Sequence, residues 1–372
     1  MNKIIPYDRN KPFNQLPLLP PDDEIIMTMP IMKKLIEANK SLAKLDGIAS
    51  KLPNPNMLVN TISLQEAKAS SEIENIFTTN DELYKAISTS TTNVNPATKE
   101  VLKYRQSLWS GVATIQNKTE IGLDTLIAVY QHIKETSLSI RSPHTLTVIK
   151  KRGNTQTSGQ VIYTPPRGKG VIENKLQNML EFINDDKKHD YDPLLKMAIA
   201  HYQIEAIHPF SDGNGRTGRI LNLLILMNKG LLSQPILYLS KYIIENRDDY
   251  YANLGGVTQR RSWERWILYM LTAVEETAKF TIRKIEEISN QMNATLTYIN
   301  QKLPHIDKEL VETMFTQPYM RGEHILGPKI KSRNTASKYL HQLGEIGVLE
   351  PRKMGREIVF INNDLINILS GE

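Results

Sequence analysis

The feature that most constrains the fold of this chain is a series of amphipathic helical stretches, interrupted by one β-prone segment. Apolar residues recur at helical spacing in each stretch, and Gly230 stands where the helix over 216–229 is expected to end. A mainly α body is therefore predicted. Its helices are expected at 31–49, 64–77, 98–117, 122–137, 172–185, 192–207, 216–229 and 263–303.

Two local patterns refine the N-terminal end. Residues 1–30 contain six prolines, which predict an extended arm without helix, laid over the body. Ser63 and Glu66 have the spacing of a capping box, in which each side chain satisfies a free backbone N–H of the other residue. This pattern predicts that the second helix begins at about Leu64 and runs to Phe77.

The β-prone segment consists of two short runs, 145–149 and 160–164, on either side of a polar turn that contains glycine. The pattern predicts a single hairpin. Since two isolated strands are marginally stable in water, the hairpin should pack on the body or gain stability from a partner strand.

Beyond Pro304 the pattern changes to three short helices, at about 306–316, 324–330 and 334–346, followed by a two-stranded hairpin. This order is typical of a winged helix-turn-helix. The chain is accordingly divided into an arm and N-terminal helical region, a central core, a long connecting helix and a C-terminal unit. The expected bounds are 1–95, 96–262, 263–304 and 305–372.

Composition excludes several chemistries. The chain has 372 residues and no cysteine, so disulfides, cysteine-ligated zinc, iron–sulfur clusters and thiol nucleophiles are ruled out.

Its longest apolar run, 220–227, is far shorter than the roughly 20 residues of a membrane span. The first residues resemble no secretory signal, so the cytoplasm is the expected location. Charge is uneven: residues 321–356 hold eight basic and three acidic side chains, a net +5.

The most informative segment is the loop 208–219, which lies between two predicted helices and begins with His208. Gly213, Asn214 and Gly215 tolerate left-handed backbone and leave N–H groups bare, so they can form a concave nest for an anion at a helix N-terminus. Arg216 and Arg219 add positive charge on one face of the first turn, where only an anion can balance it. A polyphosphate fits this demand, because guanidinium groups pair with phosphate oxygens.

Two further side chains of this loop suggest a reaction. Asp212 is its only carboxylate and can hold a Mg2+ ion that bridges phosphate oxygens. His208 lies at the other lip of the nest and can take a proton from an attacking hydroxyl, since histidine titrates near neutral pH. Phe210 is expected to be a buried anchor.

Residues 208–219 resemble the Fic-domain signature, His-Pro-Phe-x-Asp/Glu-Gly-Asn-Gly-Arg-x-x-Arg, at every fixed position. The resemblance implies a helical bundle that transfers AMP from ATP to a hydroxyl of a target protein. It implies that His208 is the base and Asp212 the Mg2+ ligand. It also implies that 213–215 hold the α- and β-phosphates, that Arg216 steadies them and that Arg219 binds the γ-phosphate. The fold expected is a Fic-type bundle with a hairpin flap, followed by a winged helix-turn-helix.

Three other segments resemble parts of the family. The hairpin is similar to the flap that docks the target by β-augmentation, through Val161, Ile162, Tyr163 and Thr164. Residues 247–254 are similar to the stretch whose tyrosines line the adenine pocket, which makes Tyr250 and Tyr251 candidates for ATP binding; simple core packing is the alternative.

The third segment, 70–75, matches the inhibitory motif Ser/Thr-x-x-x-Glu-Gly/Asn through Ser70, Glu74 and Asn75. The alternative is a solvated helical glutamate. Physical reasoning favours an inhibitory contact: apolar neighbours of Arg219 desolvate its guanidinium, which then needs a carboxylate when no phosphate is bound. Glu74 can supply that carboxylate, and it would then occupy the place of the γ-phosphate.

Two classes of function compete at this point. One is an AMP-transferring enzyme that acts on a Tyr, Thr or Ser hydroxyl of a target protein, with phosphate transfer or AMP removal as variants. The other is a DNA-binding regulator whose Fic core senses a nucleotide. The intact His208 and Asp212 favour the enzyme. The basic C-terminal unit suits either DNA or a protein partner, and a homodimer stays open.

Overall fold

The computed structural model describes residues 7–52, 56–88, 94–118, 120–150, 159–354 and 357–371, without the side chains of 56–59. The described residues are mainly helical, as predicted. The helices are α1 (Asp23–Ile26), α2 (Met29–Ala49), α3 (Asn56–Ile73), α4 (Asn80–Ser88), α5 (Pro96–Gln116), α6 (Leu123–Lys134), α7 (Val171–Asn184), α8 (Pro193–Ile207), α9 (Asn214–Asn228), α10 (Leu239–Glu245), α11 (Arg247–Arg260), α12 (Trp263–Lys302), α13 (Lys308–Met314), α14 (Arg333–Glu345) and α15 (Asn363–Ser370).

Strands are few and short. The first two, β1 (Ile149–Lys150) and β2 (Val161–Tyr163), pair antiparallel as the predicted hairpin. In the C-terminal unit β3 (Tyr319–Met320), β4 (Glu350–Met354) and β5 (Glu357–Ile361) form an antiparallel sheet in the order β3-β5-β4. The predicted turn over 152–159 lies outside the described residues except for Gly159.

Two helices, α8 and α9, run through the middle of the core. Both are buried on nearly every face, and their buried residues include polar and charged side chains as well as apolar ones. Asp192 caps α8 by accepting a hydrogen bond from the N–H of Leu194, and α8 ends at His208, whose φ of 51° is left-handed. Tight packing of both helices holds the loop between them in one place.

The longest helix, α12, packs along α2 and continues toward the C-terminal unit. Trp266 is fully buried and its indole N–H donates to the carbonyl of Ala198 at 2.8 Å, which ties α12 to α8. Trp263 is buried as well. Both tryptophans therefore belong to the core.

The N-terminal arm is only partly as predicted. Residues 7–22 run over the body without helix, as irregular backbone with several turns, and Asn178 exchanges two hydrogen bonds with the backbone of Leu19. The prediction that 1–30 contains no helix is wrong at its far end, because α1 forms there and α2 begins at Met29. Pro30 lies in the first turn of α2, where its missing N–H costs nothing.

The predicted start of α3 is wrong. The helix begins at Asn56, so Ser63 lies inside it and no capping box forms. Glu66 is buried and accepts hydrogen bonds from the N–H and hydroxyl of Ser240 and from the Tyr104 hydroxyl. Burial raises the pKa of Glu66, although these hydrogen bonds act to lower it. A Ser-x-x-Glu pattern therefore also arises inside a helix, where the glutamate satisfies buried donors.

The C-terminal unit keeps the predicted order, with differences. The second expected helix, near 324–330, is a single 3-10 turn over Gly322–Ile325, and β3 and α15 were not expected. The third helix lies where predicted, and the two-stranded hairpin follows it as β4 and β5. A winged helix-turn-helix remains the prediction for this unit.

One edge of the C-terminal unit contacts α4. The Tyr319 hydroxyl donates to Asp81, the ring of Tyr319 stacks on Tyr84 at 6.1 Å, and Asn80 donates to the Ser370 hydroxyl at 3.2 Å. Within the described residues, no helix is long and apolar enough to cross a membrane.

Glu66 provides a test of this packing. Glu66→Ala leaves the donors of Ser240 and Tyr104 buried without an acceptor, so the free energy of unfolding should fall by about 3 kcal/mol or more. Urea titration measures the change. Glu37→Ala, at an exposed position of α2, is the control and should stay within about 0.5 kcal/mol of the wild type. Equal losses in the two variants would contradict a structural role for the Glu66 carboxylate.

Candidate active site

The site is the loop between α8 and α9. Phe210 is buried, as expected, and stacks on Tyr130 with 4.1 Å between ring centroids. The Asn214 side chain closes the loop: its amide donates to the carbonyl of Phe210 and its oxygen accepts from the Phe210 N–H. Since these bonds occupy the side chain of Asn214, its backbone N–H is the group it can offer to an anion.

The N-terminus of α9 forms the floor of the site. The first N–H groups of any helix have no partner within that helix, so those of Asn214, Gly215 and Arg216 are left for an acceptor outside it. A Cβ on Gly215 would lie 2.4 Å from Oε1 of Glu74 and 3.0 Å from Nη1 of Arg219. Only glycine leaves room for an anion here, and the Glu74 carboxylate rests in that space.

Arg219 is buried, with 2% of its surface exposed. Its Nη2 donates to Oε1 of Glu74 at 3.0 Å and to the carbonyl of Ser70 at 2.8 Å, and its Nε donates to the Ser70 hydroxyl at 2.8 Å. Burial alone would lower the pKa of Arg219, but the Glu74 carboxylate and the other negative or titratable groups around the guanidinium together outweigh burial, and the pKa is raised. The predicted contact between Glu74 and Arg219 is confirmed.

The end of α3 explains how Glu74 reaches Arg219. Asn75 adopts a left-handed φ of 62°, and the N–H groups of Asn75 and Ile76 donate to the carbonyls of Glu72 and Ser71. These bonds form a Schellman motif, which asparagine tolerates better than most residues. The helix therefore stops at Ile73 rather than Phe77, and Glu74 follows it directly.

Arg216 has a carboxylate partner that the sequence did not indicate. It is buried, and its Nη1 donates to Oε2 of Glu100 at 2.7 Å. Glu100 lies in the second turn of α5, more than a hundred residues earlier, and no motif marks it. The expectation that the charge of Arg216 calls for a bound anion is therefore wrong, because Glu100 already neutralises it. Phosphate binding by Arg216 stays a prediction.

Asp212 also has an unexpected partner. Its Oδ2 accepts from Nζ of Lys134 at 2.7 Å, and its Oδ1 accepts from the N–H of Gly213. Partial burial would raise the pKa of Asp212, but the Lys134 and Gly213 hydrogen bonds outweigh it and the pKa is lowered. Lys134 is the last residue of α6 and was not singled out in the sequence.

The residues present fit a Mg2+ ion only in company with a nucleotide. Among the described residues no three His, Asp or Glu side chains cluster to hold a metal. Asp212 is a single, exposed carboxylate, which is the kind of site where Mg2+ takes its other ligands from phosphates and water. Lys134 is the cation that neutralises Asp212 here.

His208 lies at the C-terminus of α8, half-buried, and its carbonyl accepts from Nε of Arg141 at 2.8 Å. Burial and the nearby Arg141 charge lower the pKa of His208 to about 4. The expectation of a histidine that titrates near neutral pH is therefore wrong. At pH 7 the imidazole is neutral, the form in which it can accept a proton.

A second carboxylate near Arg219, Glu205, was also missed. Oε1 of Glu205 is buried without a hydrogen-bond partner among the described residues and lies 2.8 Å from where a Cβ on Gly218 would stand. Burial raises the pKa of Glu205 to about 7; the Arg219 charge opposes this rise and the Glu74 charge adds to it. Glu205 lies three residues before His208, on the same side of α8, and this spacing is the sequence feature from which it could have been predicted.

The two candidate adenine tyrosines differ in position. Tyr250 is 2% exposed and its hydroxyl lies 2.9 Å from Nε2 of His201, so it belongs to the core. Tyr251 is 44% exposed, and the guanidinium of Arg247 lies over its ring at 5.9 Å. Of the pair, Tyr251 has the open ring face that an adenine would need.

The flap is only partly available as a docking edge. Ile162 is exposed, but its carbonyl accepts from the Tyr7 hydroxyl at 2.8 Å, and the Tyr163 hydroxyl donates to Ala206. Thr164 is buried against the arm, where it donates to the carbonyl of Arg9 and accepts from Phe13. Thr164 is therefore a packing residue rather than part of an open strand edge.

Comparison with known proteins agrees with this geometry. Residues 32–113 match the Fic/DOC family N-terminal model and residues 120–226 match the Fic/DOC family model. The chain belongs to the Fic/DOC family. Residues 291–365 match a third Fic-related model, the C-terminal domain of SoFic-like protein adenylyltransferases. The predicted family is confirmed.

The chain is similar to protein adenylyltransferase fic-1 of Caenorhabditis briggsae, with 41% identity over 92 residues, or 25% of this chain and 17% of the relative. A probable protein adenylyltransferase of Aquifex aeolicus is 27% identical over 201 residues, or 52% of this chain and 61% of the relative. The matches thus span less than two thirds of either relative.

Solved Fic structures show the same fold. A Fic family protein from Desulfovibrio desulfuricans has a TM-score of 0.56 and 18% identity, and covers 90% of this chain and 96% of its own. Fic-1 from Caenorhabditis elegans has a TM-score of 0.51 and 19% identity, with 69% and 74% covered. The prediction of a mainly α, Fic-type fold is confirmed.

The raised pKa of Glu205 predicts a pH effect on stability. Between its usual pKa of 4.5 and about 7 the folded chain holds a proton on Glu205 that the unfolded chain releases. The free energy of unfolding of the wild type should therefore fall, relative to Glu205→Gln, as the pH rises through this window, by up to about 3 kcal/mol. Urea titrations of both proteins across the window measure the difference. A constant difference would show that the pKa of Glu205 is not raised.

Proposed function

We propose that this Fic protein is an adenylyltransferase that transfers AMP from ATP to a Tyr, Thr or Ser hydroxyl of a target protein, and that Glu74 restrains this reaction. One observation carries the proposal. The Glu74 carboxylate lies against Gly215 and Arg219, so an anion already rests at a helix N-terminus beside a buried arginine. This is a position suited to a phosphate group.

His208 acts as the general base in this reaction. The target hydroxyl oxygen forms a bond to the α-phosphorus of ATP, and the hydroxyl proton passes to the neutral imidazole. The bond from that phosphorus to the bridging oxygen of the β-phosphate breaks, and pyrophosphate leaves. The lowered pKa of His208 keeps the ring free to accept a proton at pH 7.

The remaining groups hold the nucleotide. The N–H groups at the start of α9 bind the α- and β-phosphates, Arg216 steadies them after it leaves Glu100, and Tyr251 offers its ring to adenine. Asp212 would hold Mg2+, which when bound neutralises phosphate charge. For Mg2+ to bind, Lys134 must release Asp212, and its ammonium group is then free to approach the phosphates.

Inhibition follows from competition for Arg219. The γ-phosphate and the Glu74 carboxylate need the same guanidinium and the same space above Gly215, so ATP cannot place all three phosphates while Glu74 stays. ATP then binds in a pose unsuited to AMP transfer. ADP lacks the third phosphate and should bind equally well with or without Glu74.

Two features favour an enzyme over a nucleotide sensor. A sensor has no need of a proton acceptor, yet His208 is held neutral at the lip of the nest. The protein adenylyltransferases with which the chain shares sequence point the same way. Transfer of phosphate and removal of AMP are the competing reactions at such a site, and we expect the reaction in the cytoplasm, where ATP is supplied.

Removal of the Glu74 side chain tests the restraint. Glu74→Gly should raise covalent labelling of the protein or a target by about 5- to 150-fold, the range of typical coupling between competing ligands. ATP labelled at the α-phosphate should leave its label on protein, and ATP labelled at the γ-phosphate should not. Glu72→Gly is the matched control, because Glu72 pairs with Lys68 instead.

The same variant should be less stable without ATP, since Arg219 loses its carboxylate. Glu74 is 28% exposed, so we expect a loss of about 1–3 kcal/mol rather than the larger cost of a fully buried pair. ATP should restore more stability to Glu74→Gly than to the wild type. A Glu74→Gly protein that binds ATP and Mg2+ yet labels nothing would refute the restraint, and attachment of the γ-label would refute AMP transfer.

Removal of the base tests the chemistry. In the Glu74→Gly background, His208→Ala should slow labelling by about 10²–10⁴-fold, because no positioned group takes the hydroxyl proton. Affinity for ATP, measured by calorimetry, should not change. His132→Ala, at an exposed position of α6, is the control. Labelling at the rate of the parent would exclude His208 as the base.

A further inference from the structure

The exposed side of α14 carries a set of polar and basic side chains. Ala336, Leu340 and Leu343 face the interior of the C-terminal unit. The opposite side of the helix, together with the residue two places before it, forms what we call the α14 face. Its exposed members are Lys331, Arg333, Asn334, Ser337, Lys338 and His341.

The cations of this face differ from the other basic residues nearby. Arg321, Lys329 and Arg352 each pair with at least one carboxylate of the same unit. Lys331, Arg333 and Lys338 form no ion pair or hydrogen bond with any described residue. The excess positive charge seen in the sequence is thus concentrated, within the described residues, on the α14 face and on Lys353 of β4.

The α14 face lacks the apolar residues of a protein-docking surface. Protein interfaces have cores enriched in aromatic and aliphatic side chains and depleted in charge. In the described part of the C-terminal unit the large exposed apolar side chains are Leu326 and Ile358, and neither belongs to this helix. Only charged and polar groups are available for contact.

The face is also free of the rest of the chain. The C-terminal end of α14 contacts the end of the long helix, where the Tyr298 hydroxyl donates to the carbonyl of Ile346 and His305 bonds to Gln342. The unit contacts α4 through Tyr319 and Ser370. The N-terminal half of α14 has no such contact within the described residues and points to solvent.

We propose that the α14 face binds double-stranded DNA. Three unpaired cations on one side of an exposed helix complement a row of phosphates, and Arg, Lys and Asn are the side chains that contact guanine and adenine in the major groove. The major groove of B-form DNA admits an α-helix, whereas the deep, narrow groove of A-form RNA does not. This binding is independent of the proposed AMP transfer.

The test uses the full-length protein and a labelled DNA duplex of about 25 base pairs, long enough for two turns of the helix. With the three cations of the face on phosphates, affinity should fall roughly 20-fold when salt rises from about 50 to about 150 mM. The variant Lys331→Gln, Arg333→Gln, Lys338→Gln should lose most of this salt dependence and at least about tenfold in affinity at the lower salt.

A matched control removes the same charge elsewhere. Lys33, Lys40 and Lys44 are exposed on α2, and their joint change to Gln should leave DNA affinity within about twofold of the wild type, since they lie outside the face. Three outcomes would overturn the proposal: no DNA binding at the lower salt, which would leave the face to an acidic protein partner; an equal loss in the control variant; or equal affinity for an RNA duplex of the same sequence.

Discussion

The active site depends on one buried charge. Arg219 lies in the first turn and a half of α9, among apolar residues that remove water from its guanidinium. A buried cation without a counter-charge is very costly, so the fold must bring an anion to it. Glu74 and the Ser70 carbonyl and hydroxyl meet this need, and to do so they fix the end of α3 beside the start of α9. The geometry of the nest follows from that demand.

The other charges of the site are arranged around the same centre. Arg219 can neutralise one carboxylate, and Glu74 is nearer to water than Glu205, so Glu74 carries the negative charge while burial holds a proton on Glu205 near neutral pH. Two more ion pairs lie nearby: Arg216 pairs with Glu100, and Asp212 pairs with Lys134. The charged candidates of the loop, Arg216, Arg219 and Asp212, therefore each have an internal partner of opposite charge.

How well the sequence predicted each part of this site depended on how far apart in the chain the interacting residues lie. Local signals succeeded: the loop 208–219, the hairpin and the long α12 are encoded by neighbouring residues. Partners distant in the chain, Lys134 and Glu100, were missed because no spacing rule links them to the loop. The Ser63–Glu66 pattern gave a wrong start for α3, because a helix interior with a buried glutamate can have the same Ser-x-x-Glu sequence as a capping box. Tyr250 and Tyr251 could not be separated, since adjacent helical positions point about 100° apart and only packing decides which is buried.

The energetics of the Glu74 and Arg219 pair suit a reversible restraint. A buried ion pair contributes little net stability, because the attraction is largely cancelled by the loss of hydration of both groups. Most of that loss belongs to Arg219, which stays buried whichever anion it binds. Exchange of the Glu74 carboxylate for a phosphate would therefore need little free energy, provided that the Glu74 side chain can move away from Arg219. Its partial exposure and its place just beyond the last residue of α3 give it that freedom, since the side chain can turn to solvent without unwinding the helix. An apolar plug in the same place would resist displacement, whereas the proposed restraint needs only the exchange of a single carboxylate for a group with more charge.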